Sequence, residues 1–195
     1  MKFGFTHLRQ LLFGLLLAVS IGAPAFATEL PGDSLYQLPI TLVNQDGTRF
    51  ELPDRRGRPQ LVSMFYTSCQ YICPLIIDTL KKTQASLTAP ERGRLDVLLV
   101  SFDPERDTPQ RLKEVFSERK LDAHSWTLAR TDEHSVRKLA ALLGIQYRAL
   151  ANMDISHSGA LVLLDADGRI VARSDSIGAV DQDFVAKLHT ALAAH

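Results

Sequence analysis

The chain has 195 residues, with 22 lysines and arginines against 22 aspartates and glutamates, and only two cysteines. That length suggests one domain, with a core large enough to fold without disulfide staples. The even charge balance argues against a nucleic-acid partner held by bulk electrostatics.

The amino terminus reads as an export signal. Lys2 and Arg9 form a short positive region, and Leu11 to Ile21 form an apolar run. Ala25-Phe26-Ala27 then has the small-x-small pattern of a cleavage site, which predicts processing after Ala27. The alternative is an uncleaved membrane anchor, because the 17 residues from Leu11 to Ala27 carry no charge and lie at the lower edge of a span. No cysteine follows the apolar run, so lipid attachment there is excluded. Residues 28–195 are expected to form a single domain, slightly acidic once Lys2 and Arg9 are removed, and soluble in the periplasm.

Thr28 to Leu38, with Pro31, Gly32 and Asp33, reads as an extended lead-in. Pro39 to Val43 and Thr48 to Phe50 flank Asp46-Gly47 and predict a β-hairpin. Arg55-Arg56-Gly57-Arg58-Pro59 is a basic turn, expected to be solvated, before a strand over Gln60 to Tyr66. Both cysteines follow at once, in Phe65-Tyr66-Thr67-Ser68-Cys69-Gln70-Tyr71-Ile72-Cys73-Pro74, and a helix is predicted from about Cys73 to Leu87. Pro90 to Gly93 should break it. Leu95 to Phe102 is nearly continuous in apolar character, as expected of a strand covered on both faces.

Thr108 is a suitable N-cap and Pro109 a suitable first residue for the next helix. A strand over Ser125 to Ala129, a helix over Asp132 to Leu143 and a short strand within Ile145 to Ala149 follow. Beyond Ser156-His157-Ser158-Gly159, a hairpin of Ala160 to Leu164 and Arg169 to Ala172 precedes a last helix from about Gln182 to Ala194. The order β-hairpin, β, α, β, α, β, α, β-hairpin, α describes an α/β domain: a mixed sheet with helices on both faces. A cysteine pair at the first strand-to-helix turn makes that layout thioredoxin-like.

Outside the cytoplasm, two cysteines would by default be a structural disulfide. The loop they close is so short that its chain-entropy contribution would be only roughly 2 kcal/mol. A close pair followed by proline at a helix start is better suited to thiol exchange or metal binding. On a helix the two sulfurs would lie about one turn apart on one face.

Three segments together resemble the Sco/SenC family of copper proteins, which serve in cytochrome c oxidase assembly. Phe65 to Pro74 is similar to that family's C-x-x-x-C-P signature. Ser101-Phe102-Asp103-Pro104-Glu105-Arg106-Asp107-Thr108-Pro109 is similar to its S-x-D-P-x-R-D-T-P segment, and His157-Ser158 stands where the family has its distal histidine. The match runs from about residue 35 to residue 190. It implies a thioredoxin-like domain that binds one copper through Cys69, Cys73 and His157. Two departures stand out: Gln70, Tyr71 and Ile72 replace the family's usual proline and acidic residue between the cysteines, and Ser156 replaces its frequent aspartate.

Thiolates suit Cu(I), and an imidazole lets the same site hold Cu(II). Three protein ligands leave room for water or a partner's ligand, as a donor protein requires. Each residue also has a plainer role open to it. His157 would be a solvated turn residue, and Tyr66 and Tyr71 packing residues. Met153 is either a packing residue or a thioether ligand. Asp103 and Asp107 either make the turn and cap the helix or reach the site. His124, His134 and His189 are expected to be solvated.

Two functions follow from the same sulfurs. One is a periplasmic copper metallochaperone, delivering copper to an oxidase subunit or another copper carrier. The other is a thiol–disulfide reductase that uses Cys69 and Cys73 as a redox pair to keep partner cysteines reduced. His157 discriminates them, since a reductase has no need of it. Nothing in the pattern calls for a dimer, so a monomer is the default.

Overall fold

The computed structural model describes residues 29–150 and 154–194; the expected signal segment and Met153 lie outside them. Two apolar strands build the centre. β3 (Gln60–Phe65) is buried throughout, and β4 (Asp96–Ser101) is buried at every residue but Asp96. They pair in parallel from Gln60 opposite Asp96 to Phe65 opposite Ser101. β5 (Trp126–Arg130) continues the parallel set beside β4. The hairpin of β1 (Thr41–Asn44) and β2 (Arg49–Glu51) extends the sheet past β5, and that of β8 (Leu161–Leu164) and β9 (Ile170–Ser174) extends it past β3. The resulting order is β2-β1-β5-β4-β3-β8-β9.

Local chemistry sets the element ends. Gly47 takes a φ of 78° at the first hairpin's turn, where the Asn44 side chain accepts from the Asp46 and Thr48 N–H groups at 3.0 and 2.9 Å. α3 (Pro109–Glu118) is capped by Thr108, α4 (Glu133–Leu142) by Asp132 and α5 (Gln182–Ala193) by Asp181, each accepting from a backbone N–H of the first turn. Such caps are each worth about 1 kcal/mol.

The parallel crossovers from β3 to β4 and from β4 to β5 run the same way across the sheet. A right-handed path therefore puts α1 (Ile72–Ala85) and α3 on one face. Arg119, just past α3, pairs with Asp78 of α1 at 2.5 Å across that face. Neighbouring residues of β9 point to opposite faces: Ser174 donates to the α5 cap Asp181, whereas Arg173 reaches the Leu143 carbonyl at the end of α4. Helices therefore cover both faces, the expected thioredoxin-like arrangement.

Several details differ from the sequence reading. α1 begins at Ile72 and stops at Ala85, and the expected break contains a short turn of helix, α2 (Ala89–Arg92), held by a capping box between Thr88 and Glu91. The basic turn is not merely solvated. Arg55 and Arg58 pair with Asp96, and Arg56 pairs with Asp167. β6 (Tyr147–Ala149) does not join the main sheet; it pairs with β7 (Ile155–His157) in a separate two-stranded ribbon. Among the described residues no helix is long and apolar enough to cross a membrane.

Candidate metal centre

The carboxyl ends of β3 and β4 open onto a crevice, the usual place for reactive groups in an α/β sheet. Cys69 lies in the loop leaving β3 and Cys73 in the first turn of α1, so the pair does not share a helix face as a helical spacing would give. Instead the chain folds the Cys73 N–H onto the Cys69 sulfur at 3.4 Å, while the Tyr66 N–H points at the Cys73 sulfur at 3.4 Å.

His157 reaches the pair from the end of β7, where it stands opposite Tyr147. Its Nε2 is 3.4 Å from the Cys73 Sγ. Ligand atoms of Cys69, Cys73 and His157 all lie within 4.8 Å of one another, the one such group of three or more among the described residues.

The imidazole is set for ligation through Nε2. Its Nδ1 faces the Ser158 carbonyl at 3.1 Å, so a proton on Nδ1 donates there and leaves the Nε2 lone pair toward the sulfurs. Burial lowers the His157 pKa against the opposing pull of that carbonyl, which favours the neutral, ligating form. The ring is held by Phe102, 4.8 Å away between centroids, and by the edge of Tyr66 at 5.7 Å. Tyr66 is itself tied by its hydroxyl to the Asp154 carboxylate.

The two thiols are unequal. Burial works against ionising Cys69, yet the N–H groups of Cys73, Tyr71 and Ile72 prevail and hold its pKa below the ordinary thiol value. Cys73, only 3% exposed, is pushed up by burial. Both are free thiols.

Two segments brace the cysteine turn. Asp107, fully buried, accepts from the Thr67 N–H at 3.0 Å, the Thr67 hydroxyl at 2.5 Å and the Ser101 hydroxyl at 2.5 Å. It therefore reaches the site's loop, whereas Asp103 pairs with Arg106 and makes the turn. Tyr71 is not a packing residue: it is 81% exposed beside the cysteines, with Leu75 at 48%. His124 and His134 are exposed as expected, but His189 binds Glu91 at 2.6 Å. Sequence reading missed the roles of Phe102 and Asp154; the available signals were the place of Phe102 within the second motif and of Asp154 three residues before His157.

A parallel-centred sheet with a cysteine pair at the first strand-to-helix turn, and a histidine brought to it by a ribbon outside the sheet, defines a thioredoxin-like protein with a cluster of soft candidate ligands. The SCO1/SenC family model matches residues 29–193, and the chain belongs to that family. A Stutzerimonas stutzeri relative named for copper binding is 28% identical over 135 residues, covering 67% of this chain. The chain spans about two thirds of that relative's length, 65%. A solved protein of Aquifex aeolicus is 28% identical with a TM-score of 0.70, covering 83% of this chain and 91% of that one. ScoI of Bradyrhizobium japonicum, solved with copper bound, shares the fold at 23% identity and a TM-score of 0.66, over 78% of this chain and 97% of that one.

Proposed function

We propose that this protein is a copper metallochaperone that carries one copper ion through Cys69, Cys73 and His157. It would hand the ion on for assembly of a copper site such as that of cytochrome c oxidase. Two thiolates and an imidazole accept either Cu(I) or Cu(II), and three ligands leave a position for the acceptor's own. The observation that carries this reading is the approach of His157 Nε2 to within 3.4 Å of the Cys73 sulfur, with Nδ1 engaged by Ser158. Export after cleavage at Ala27 would place the work in the periplasm, and an oxidase subunit or another copper carrier would be the acceptor. The chain would act as a monomer.

The measurement is copper stoichiometry of the reduced chain lacking residues 1–27, wild type against His157→Ala. One copper per chain is expected, with affinity lower by about tenfold or more in the variant, on the scale of losing one ligand or its support. Binding indifferent to His157, or no stable copper, overturns the assignment.

The unequal thiols favour a second activity, dithiol exchange. Cys69 is the half-buried, more readily ionised sulfur, and Cys73 the buried one that would resolve a mixed disulfide. Reduction of a disulfide substrate that survives His157→Ala while copper binding does not would separate the two roles.

A further inference from the structure

Beside the metal centre lies an open groove of about 360 Å³ that the proposed copper chemistry does not use. Its apolar floor is made by Phe102, Tyr147, Ala149 and Ile155. Phe102 is shared with the centre: one side of the ring packs on His157 at 4.8 Å, and Tyr147 lies 5.0 Å from it, both between centroids. The β6–β7 ribbon that lines the groove is the element that delivers His157.

The groove's rim is acidic. Asp103 and Glu105 come from the turn after β4, Glu133 from the first turn of α4 and Asp154 from the head of β7, while Arg106 is the one basic residue among the described lining and Arg137 stands behind Glu133. Two of these carboxylates have duties inside the fold. Asp103 pairs with Arg106, and Asp154 accepts from Tyr66. Glu105 is exposed, and Glu133 is 74% exposed even while paired with Arg137 one turn along its helix. An aromatic floor with a negative rim complements a segment with an apolar or aromatic residue flanked by cations. The concentration is local, since the chain as a whole balances 22 basic against 22 acidic residues.

We propose that this groove docks a cationic segment of the protein that accepts the copper, an assignment that rests on the metallochaperone reading. Docking there brings the acceptor against the rings that hold His157, beside the metal centre. Charges on the rim act chiefly on encounter rate and salt dependence, so they steer the acceptor without holding the metal.

The test uses the reduced chain lacking residues 1–27 and a synthetic peptide carrying a phenylalanine between lysines, with a glutamate-flanked peptide as its counterpart. Amide shifts of Phe102, Tyr147 and Ile155 are followed in a peptide titration at two salt concentrations. The lysine peptide is expected to shift those amides and to weaken with salt. The combined Glu105→Lys and Glu133→Lys variant should lose about tenfold in its affinity, and the same charge change away from the groove, Glu114→Lys combined with Glu118→Lys on α3, less than about twofold. Shifts elsewhere on the surface, equal binding of the glutamate peptide, or affinity indifferent to Glu105 and Glu133 would overturn the proposal. Copper stoichiometry is measured on the same preparations. One copper per chain with an indifferent groove sinks the docking site alone, whereas a chain that holds no copper removes the acceptor whatever the groove binds.

Discussion

A buried carboxylate is costly unless donors surround it, and Asp107 receives three from two separate segments: Ser101 at the end of β4 and Thr67 in the cysteine loop. Burial pushes its pKa up, and the Ser101 and Thr67 donors pull it back. Its role is to hold Thr67, two residues before Cys69, against the neighbouring strand end. Asp107→Ala leaves the buried Ser101 hydroxyl unpaired, at roughly 1–3 kcal/mol, and removes the acceptor of the part-buried Thr67 N–H and hydroxyl, at a smaller cost where water reaches them. The variant should lose about 2 kcal/mol or more in urea denaturation. Asp107→Asn, which keeps one carbonyl acceptor, should fall between it and wild type. Equal stability of all three chains would show that the bracing contributes nothing. Phe102 and Tyr66 act on His157 in a different way, by confining the ring through its faces and edge. None of these three supports is a ligand, and each is contributed by one of the motifs that carry the ligands or their turns.

Among the elements, those specified by local chemistry were readable from the chain. β4 announces itself as an apolar run, and α3 by Thr108 and Pro109 at its start, because strand burial and helix capping depend on neighbours in sequence. The β6–β7 ribbon was not readable as such. β6 falls within the short strand expected over Ile145 to Ala149, but β7 is only three residues long and its pairing with β6 leaves no local signal, so Ser156-His157 read as a loop before β8. The three candidate ligands were legible through family resemblance, but their supports were not. Asp107 meets Thr67 across 40 positions and Tyr66 meets Asp154 across 88, and no local signal encodes such pairings. The same holds for the tie between α2 and α5, where His189 binds Glu91. The Thr88 hydroxyl, then His189 and the Thr88 N–H, hold the Glu91 pKa down at about 2 from an ordinary 4.5. A depressed folded pKa adds stability above the unfolded value, and that stability is lost as pH falls toward the folded one. Glu91→Gln should therefore melt below wild type at neutral pH, with the gap closing as pH falls from 4.5 to about 2. Thermal melts across that range check it, and a gap independent of pH would refute the linkage.

Over the whole molecule, the candidate ligands join parts that the backbone otherwise couples weakly. Cys69 and Cys73 sit where β3 passes into α1 at the centre of the main sheet, whereas His157 belongs to a ribbon outside that sheet. Among the described residues, Ser158 donates to the Gln146 carbonyl at 2.9 Å and Leu150 to the Asp154 carbonyl at 2.8 Å, both within the ribbon's own ends. Its attachment to the sheet runs through side chains: Phe102 against Tyr147 and His157, and Tyr66 to Asp154 and the Ile155 carbonyl. A metal held by all three residues would cross-link ribbon and sheet only in the folded chain, since unfolding scatters ligands 84 positions apart. Binding confined to the folded state stabilises by mass action, by about 2.7 kcal/mol when free ligand is a hundredfold above Kd. For a domain of this size 1 kcal/mol moves Tm by roughly 2–4 °C, so copper at that excess should raise Tm by about 5–10 °C. Removing His157 leaves two sulfurs on one turn, a local clip that joins no ribbon to the sheet. The His157→Ala chain should then gain less than about half the wild-type shift at the same free copper, even if its sulfurs still take up the ion. Calorimetric scans of both reduced chains at matched free copper decide the matter. An equal shift in both would mean that the metal, wherever it binds, does not fasten the ribbon to the sheet.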